Sequence, residues 1–427
     1  MVRRALTWIA RFACTLLLRR VEVADRGRFP RGRPVLLVGN HFNGFVDPLV
    51  VASVLPRAPR FVAKASLTSL PFLRFIAHRC GVVFVHRRED STGPVDNDAA
   101  FRECHAALVK GDTVAIFPEG TTHDRFHLDP IKTGAARIAL GARTAGATDI
   151  AIVPVGLTFP DKVALRTSAL VQLGEPIDLD DVCAPGVGVS DEKAVRALTA
   201  RIDSGIRAVS QDFEDAETAF ALEQAAHIAL SSEAAPEPTL EQRYDLARAL
   251  GRAPKRAREA VRRDVGRYNT MLAGLRLTDA DVITPTSPTR LLRAAIRIAL
   301  IVVLLGGIAA AAAPVNVWPA LLVATVSLFV KVPVTKGTVR VIVGIVAFPT
   351  AWIVAAVITA DGFWRCSLVV LSSAVGAVAS IWLVERAVAL TLMLIRWRAQ
   401  IERIGTVEQA EALRAELVAT TLAAAGE

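Results

Sequence analysis

Residues 298–396 constrain this chain more than any other part of it, because they are almost free of charge. The stretch resolves into four apolar runs, at about 296–313, 315–330, 339–360 and 366–384. The last two reach the roughly 20 residues a helix needs to cross hydrocarbon. The first two are short and are divided by Pro314, which fits a tight spanning hairpin or a re-entrant one. Arg290, Arg293 and Arg297 precede the first run, and Lys331, Lys336 and Arg340 separate the second from the third. Arg396 and Arg398 follow the fourth, while the turns at 314–315 and 361–365 carry little charge. Cationic loops stay in the cytosol, so this pattern predicts four membrane segments with both termini cytosolic.

Residues 1–290 read differently, as a globular part. A net charge of +9 over 427 residues suits phosphates, anionic lipid or nucleic acid. Beside an apolar region the first two are favoured, and no nucleic-acid motif is present. The five cysteines are scattered without CxxC or zinc spacing, which predicts reduced thiols in a cytosol-facing protein. In residues 2–20, arginines at 3, 4, 11, 19 and 20 alternate with Leu6, Trp8, Ile9, Phe12 and Leu16–Leu18. Such a helix suits the headgroup layer of an anionic leaflet, and it equally suits packing on the next domain. Arg11 interrupts the run and no small-residue cleavage site follows, so it does not read as a signal peptide.

Between residues 30 and 180, short apolar runs alternate with helical patterns, as in an α/β domain. Strands are predicted at 34–39, 60–63, 81–86, 113–117, 151–157 and 169–173. Helices are predicted at 46–55, 67–78, 97–109, 131–145 and 191–210. Ser231–Pro238 reads as linker, and 241–275 as helix dense in Arg and Lys, either solvated or touching headgroups. The domains expected are 1–29 (surface helix), 30–230 (α/β), 231–290 (linker and basic helices), 291–400 (transmembrane) and 401–427 (tail helix).

Three short motifs sit at the ends of these predicted strands, and a fourth lies within one. Asn40-His41-Phe42-Asn43-Gly44-Phe45-Val46-Asp47-Pro48 places an imidazole near a carboxylate. A histidine held by an aspartate is a general base for a hydroxyl. Residues six apart point about 120° from each other on a regular helix. His41 is therefore expected in the loop after the strand and Asp47 in the first turn of the following helix. No Gly-x-Ser-x-Gly elbow supplies a protein nucleophile, so the attacking hydroxyl would belong to a substrate. Gly81–Arg87 ends in a guanidinium able to grip a phosphate. In Phe117-Pro118-Glu119-Gly120-Thr121, Pro118 stiffens the exit and Gly120 lets backbone approach a ligand. Glu119 could accept from substrate hydroxyls. Val153-Pro154-Val155 is the fourth motif. Lys64 and Lys132 are further cations near these loops, though surface lysines are common. His123 and His127 flank Asp124 without a third ligand at helical spacing, so no metal site is expected.

In this order the four blocks resemble the glycerolipid acyltransferase family, typified by 1-acylglycerol-3-phosphate and glycerol-3-phosphate acyltransferases. The likeness covers roughly 30–225. The spacing between His41 and Asp47 is one residue longer than is common there, as in the subgroup that includes fungal glycerol-3-phosphate/dihydroxyacetone-phosphate acyltransferases. His86 stands where the second block commonly has Asp. The resemblance implies a mixed-sheet α/β acyltransferase domain flanked by helices, followed here by an α-helical transmembrane region. It implies His41 and Asp47 as catalytic dyad. The acceptor and its phosphate would lie at Arg87, Glu119, Gly120, Thr121 and Lys64, with Pro154 on the acyl-donor side. No metal or cofactor is implied; acyl-CoA or acyl-carrier protein would be a substrate. The implied partners are a lipid membrane, that donor and a phosphorylated glycerol-type acceptor, with no nucleic acid. The protein would be integral to the membrane, its catalytic domain on the cytoplasmic face. A lysophospholipid acceptor is the nearest alternative, and a non-catalytic lipid-binding membrane protein the alternative of another class.

Overall fold

The computed structural model describes residues 2–66, 71–86, 96–123, 125–164, 166–235, 237–402 and 404–426. The chain divides into two compact units, 1–212 with 330–341, and 213–329 with 342–427. The predicted α/β domain ended at 230; in the structure Ala216–Leu230 belongs to the second unit.

The first unit is built on an eight-stranded mixed sheet of order β1-β7-β6-β2-β5-β3-β4, with β8 also beside β6. The strands are β1 (Arg20–Ala24), β2 (Val35–Gly39), β3 (Arg60–Lys64), β4 (Val83–Val85), β5 (Thr113–Ile116), β6 (Ala151–Thr158), β7 (Ser168–Leu173) and β8 (Ile177–Asp178). All six predicted strands are present, joined by β1 and β8. The pairs β4·β3, β3·β5, β5·β2 and β2·β6 include only parallel ladders, so these strands end on one edge. β7 and β8 run antiparallel to β6.

Helices cover both faces, which is why β2 and β6 are buried along their whole length. Leu36, Val38 and Ile152 pack with α4 (Asp98–Val109), α5 (Gly134–Thr144) and α6 (Glu192–Val209). Val35, Leu37, Val153 and Val155 pack with α1 (Val2–Leu17) and α2 (Val46–Val54). α3 (Pro71–Cys80) links β3 to β4, and the 67–70 part of its predicted span lies outside the described residues. On α1, Thr7, Ala10 and Cys14 are buried while Trp8, Ile9 and Phe12 are exposed. One side of the helix packs on the domain, as the second of the two expectations had it, and the other side is apolar and exposed. Burial pushes the Cys14 thiol up to about 11.

Residues 330–341 complete this unit from far along the chain. Val341 is buried in the α1/α2 core, and Phe45 N donates to Thr338 Oγ1 at 3.3 Å. Gly44, at φ 24°, lies so near that a Cβ there would overlap Thr338 Oγ1.

The second unit is helical: α7 (Ala216–Leu230), α8 (Leu240–Arg252), α9 (Lys255–Leu275), α10 (Asp279–Ile283), α11 (Pro288–Phe329), α12 (Pro333–Thr359, its first turns in the first unit), α13 (Phe363–Glu402) and α14 (Ile404–Gly426). The arginines of the basic run largely face the chain's own carboxylates, Arg258 on Glu214, Arg262 on Glu217 and Arg267 on Glu416.

Among the described residues, three helices are long and apolar enough to cross a membrane: Pro288–Phe329, Thr335–Thr359 and Phe363–Glu402. The expectation was four segments. The runs 296–313 and 315–330 form one helix, with Pro314 and Pro319 inside it. Proline removes one backbone bond, and inside a packed bundle neighbouring groups tolerate the gap. Between the two prolines, and apart from the carbonyls they leave unbonded, Asn316 Nδ2 donates to Ala312 O at 3.1 Å and to Ser373 O at 2.9 Å, and Trp352 Nε1 donates to Asn316 Oδ1 at 2.8 Å. That buried node ties α11, α12 and α13 together.

Candidate active site

The site begins where β2 ends. Asn40 is fully buried and uses its amide as a surrogate strand residue. Its Nδ2 donates to Leu157 O at 2.9 Å, and Leu157 N donates to its Oδ1 at 2.7 Å. The pairing to β6 is thereby carried one position beyond the strand, and the loop leaves from a fixed point. Phe42 is buried on the α4/α5 side, which pins the loop again.

His41 stands between these two anchors. As expected, it lies in the loop and Asp47 in the first turn of α2. His41 Nδ1 is 2.9 Å from Asp47 Oδ2, and the same oxygen accepts from Asn43 N at 2.8 Å. Asp47 is fully buried, so the carboxylate has little alternative to these donors. A proton on Nδ1 facing the carboxylate leaves Nε2 as the basic nitrogen. Nε2 has no hydrogen-bond partner among the described residues, and the side chain is 14% exposed. The ring also stacks on Phe117, with centroids 4.3 Å apart and planes 8° from parallel. The His–Asp spacing thus allows the contact, and between the two residues the chain turns at Asn43–Phe45, where Asn43 O accepts from Val46 N at 2.7 Å.

β5 ends beside β2 and supplies Phe117–Thr121. Glu119 is 2% exposed and faces inward. Its Oε1 accepts from His41 N at 2.9 Å. Its Oε2 lies 2.7 Å from His123 Nε2 and accepts from Asp129 N at 3.0 Å. Both oxygens of the residue assigned to the acceptor therefore serve the chain itself. Gly120 has φ 74°, and Lys132 Nζ is 3.1 Å from where a Cβ would stand. The glycine thus admits the Lys132 side chain to the loop. Thr121 is half-buried in the same turn.

Lys64 closes β3, one strand beyond β5 and on the same edge, and is half-buried. It is two strands from His41, about 10 Å across the sheet. Arg87 and Arg88 lie outside the described residues; His86, the last described residue of that motif, is exposed. Pro154 lies within β6 opposite Val38. Its ring fills the space over two glycines, 2.7 Å from a Cβ at Gly205 and 3.0 Å from one at Gly174. Donor atoms of Glu119, His123 and Asp129 fall within 4.8 Å of one another, a spacing a cation could use. In the structure the same atoms pair within the chain, and Arg125 also pairs with Asp129. Asp124, which His123 and His127 flank in the sequence, is outside the described residues.

Three contributors escaped the sequence reading: Asn40 as anchor, Phe117 as stacking surface and His123 as partner of Glu119. A polar residue directly after a buried strand was the visible signal for the first. The other two depend on how two loops meet.

Residues 20–158, which include the histidine–aspartate pair, match the family model described as Acyltransferase. The chain therefore carries an acyltransferase-family domain. It is 34% identical over 132 residues to glycerol-3-phosphate O-acyltransferase 2 of Saccharomyces cerevisiae, covering 31% of this chain and 18% of the yeast protein. It is 38% identical over 152 residues to a lyso-ornithine lipid O-acyltransferase of Rhizobium meliloti, covering 35% and 49% respectively. It is 34% identical over 137 residues to human 1-acyl-sn-glycerol-3-phosphate acyltransferase beta, covering 32% and 45%. The chain thus spans half or less of the length of these relatives.

Proposed function

We propose that this protein is a membrane-bound O-acyltransferase, moving a fatty acyl group from acyl-CoA or acyl-carrier protein to the hydroxyl of glycerol-3-phosphate or dihydroxyacetone phosphate in phospholipid synthesis. The observation that carries the reading is the His41 Nδ1–Asp47 Oδ2 contact of 2.9 Å with Nε2 left open. In the reaction, Nε2 takes the acceptor's hydroxyl proton as that oxygen adds to the thioester carbonyl. Asp47 stabilises the imidazolium that forms. Collapse of the tetrahedral intermediate expels the thiolate, which regains the proton from His41. Lys64, Lys132 and Arg87 are the cations proposed for the acceptor phosphate. Glu119 acts by holding the His41 backbone. Pro154 acts by setting the strand on which the donor side rests.

The relatives' names differ in acceptor, and the matched segment alone does not choose among them. A lysophospholipid acceptor is the second reading, favoured by three candidate spans that would bring the domain to laterally diffusing lipid. Lys331, Lys336 and Arg340 lie in the segment that packs into the α/β unit, and this cationic loop supports a catalytic domain on the cytoplasmic side.

The test uses the full chain in lipid nanodiscs with radiolabelled long-chain acyl-CoA or acyl-carrier protein. Glycerol-3-phosphate, dihydroxyacetone phosphate and lysophosphatidic acid are offered separately. Product from either soluble acceptor supports the first reading, and product from the lysolipid alone the second. Absence of product from all, with both donors, refutes acyl transfer to these acceptors.

A further inference from the structure

The edge of the sheet opposite His41 carries a cavity of about 490 Å³ lined by Arg3, Arg4, Arg57, Arg60 and Arg79. Arg60 opens β3 and Arg57 precedes it, so the cavity and the catalytic loops are separated by the length of the strand. A strand of that size is about 15 Å long. Asp112 is the carboxylate the arginines share: Arg3 NH1 lies at 2.7 Å, Arg60 Nε at 3.0 Å and Arg57 NH1 at 3.7 Å. Among the described residues, Arg3, Arg57 and Arg60 share this one carboxylate, which leaves positive charge in excess in a concave site. The neighbourhood registers it: burial, and the charges of Arg60 and Arg57 near by, lower the Arg3 pKa despite Asp112.

Asp112 fixes Arg3 and Arg60, while Arg4 and Arg57 stand at the rim. Arg4 is exposed, and the Arg57 side chain is 54% exposed. Arg4 belongs to α1, where residues one turn apart share a face. The next positions on its stripe are Trp8 and Phe12, and Ile9 lies seven residues from Val2, which also lines the cavity. Trp8 is 68% and Ile9 60% exposed. A cationic hollow continued along the same helix by an exposed aromatic and aliphatic stripe has two halves. One suits a phosphate, the other acyl chains at the depth where tryptophan prefers to sit.

We infer that this hollow binds the phosphate headgroup of an anionic phospholipid in the bilayer surface, with the Trp8 stripe of α1 entering the interface beside it. The occupant is a lipid rather than a free phosphate, because the stripe requires an apolar partner that a soluble anion lacks. The site is separate from the acyl-transfer edge and does not depend on catalysis.

The test is native mass spectrometry of the detergent-solubilised full chain, titrated with phosphatidylglycerol or phosphatidylcholine. The variants are R4Q/R57Q and the charge-keeping R4K/R57K, both at the rim and away from the Asp112 bonds made by Arg3 and Arg60. Wild type should favour phosphatidylglycerol, and R4Q/R57Q should weaken that binding by roughly tenfold or more. R4K/R57K should keep most of it, and millimolar inorganic phosphate should not displace the lipid. Equal phosphatidylglycerol binding by wild type and R4Q/R57Q would overturn the inference. So would displacement by inorganic phosphate, which would make this a soluble-anion site. Should R4Q/R57Q fail to fold, R4K/R57K decides alone: binding at wild-type strength supports the site only if raising salt weakens it steeply, and salt-independent binding overturns it.

Discussion

Glu119→Gln separates two roles for one carboxylate. The side chain is 2% exposed, with Oε1 on His41 N and Oε2 on Asp129 N and His123 Nε2. A carboxamide keeps the shape but has one acceptor oxygen. Whichever way it is turned, its NH₂ group meets one of the two backbone N–H donors. An unsatisfied buried donor costs about 1–3 kcal/mol, so the melting midpoint should fall by about 3–10 °C. His41 is then held less firmly, and displacement of a catalytic group by about 1 Å is worth up to roughly 100-fold in rate. The assay is acyl transfer in nanodiscs with varied glycerol-3-phosphate, alongside a thermal melt. The expected result is kcat lower by about 10- to 100-fold with acceptor KM within about twofold, since a positioning residue does not touch the acceptor. A KM raised tenfold at unchanged kcat and midpoint would refute the reasoning and return Glu119 to the acceptor.

Asp47→Asn should lower kcat by about 10²–10⁴-fold, because the amide permits the imidazole tautomer that blocks Nε2; steady-state rates at saturating substrates measure it. Gly156→Ala should destabilise the first unit, because the added Cβ would overlap Val209 O of α6; a melt with a drop of several degrees is expected, and an unchanged midpoint contradicts it. Burial holds the His105 pKa below the ordinary histidine value, so its neutral form is favoured in the fold. The unfolded chain then binds the extra proton, and this stability is fully present above about pH 6.5 and lost as pH falls below it. Melting midpoints should decline between pH 7.5 and 5, and His105→Gln should flatten that decline.

The strands that carry the site were legible because each is a continuous apolar run bounded by polar motifs, as at Val35–Val38 before Asn40. β1 was not, because Arg20-Val-Glu-Val-Ala continues the basic alternation of α1 and owes its strand state to pairing with β7. The His41–Asp47 pairing could be read from spacing, since both residues fall in one loop and the next turn. The inward orientation of Glu119 could not, because it depends on backbone donors at His41 and Asp129 that have no side-chain signature. Nor could the docking of Thr338 on Phe45, a contact between residues 293 apart. Pro314 misled for a related reason: local propensity marks it as a break, whereas packing of its helix carries the chain through.

The central claim is that His41 Nε2 is the base for acyl transfer. Single-turnover transfer from labelled acyl-CoA in nanodiscs, comparing wild type with His41→Ala at matched thermal stability, tests it most directly. The account predicts product from wild type and none above background from His41→Ala. Transfer by His41→Ala at the wild-type rate would contradict it.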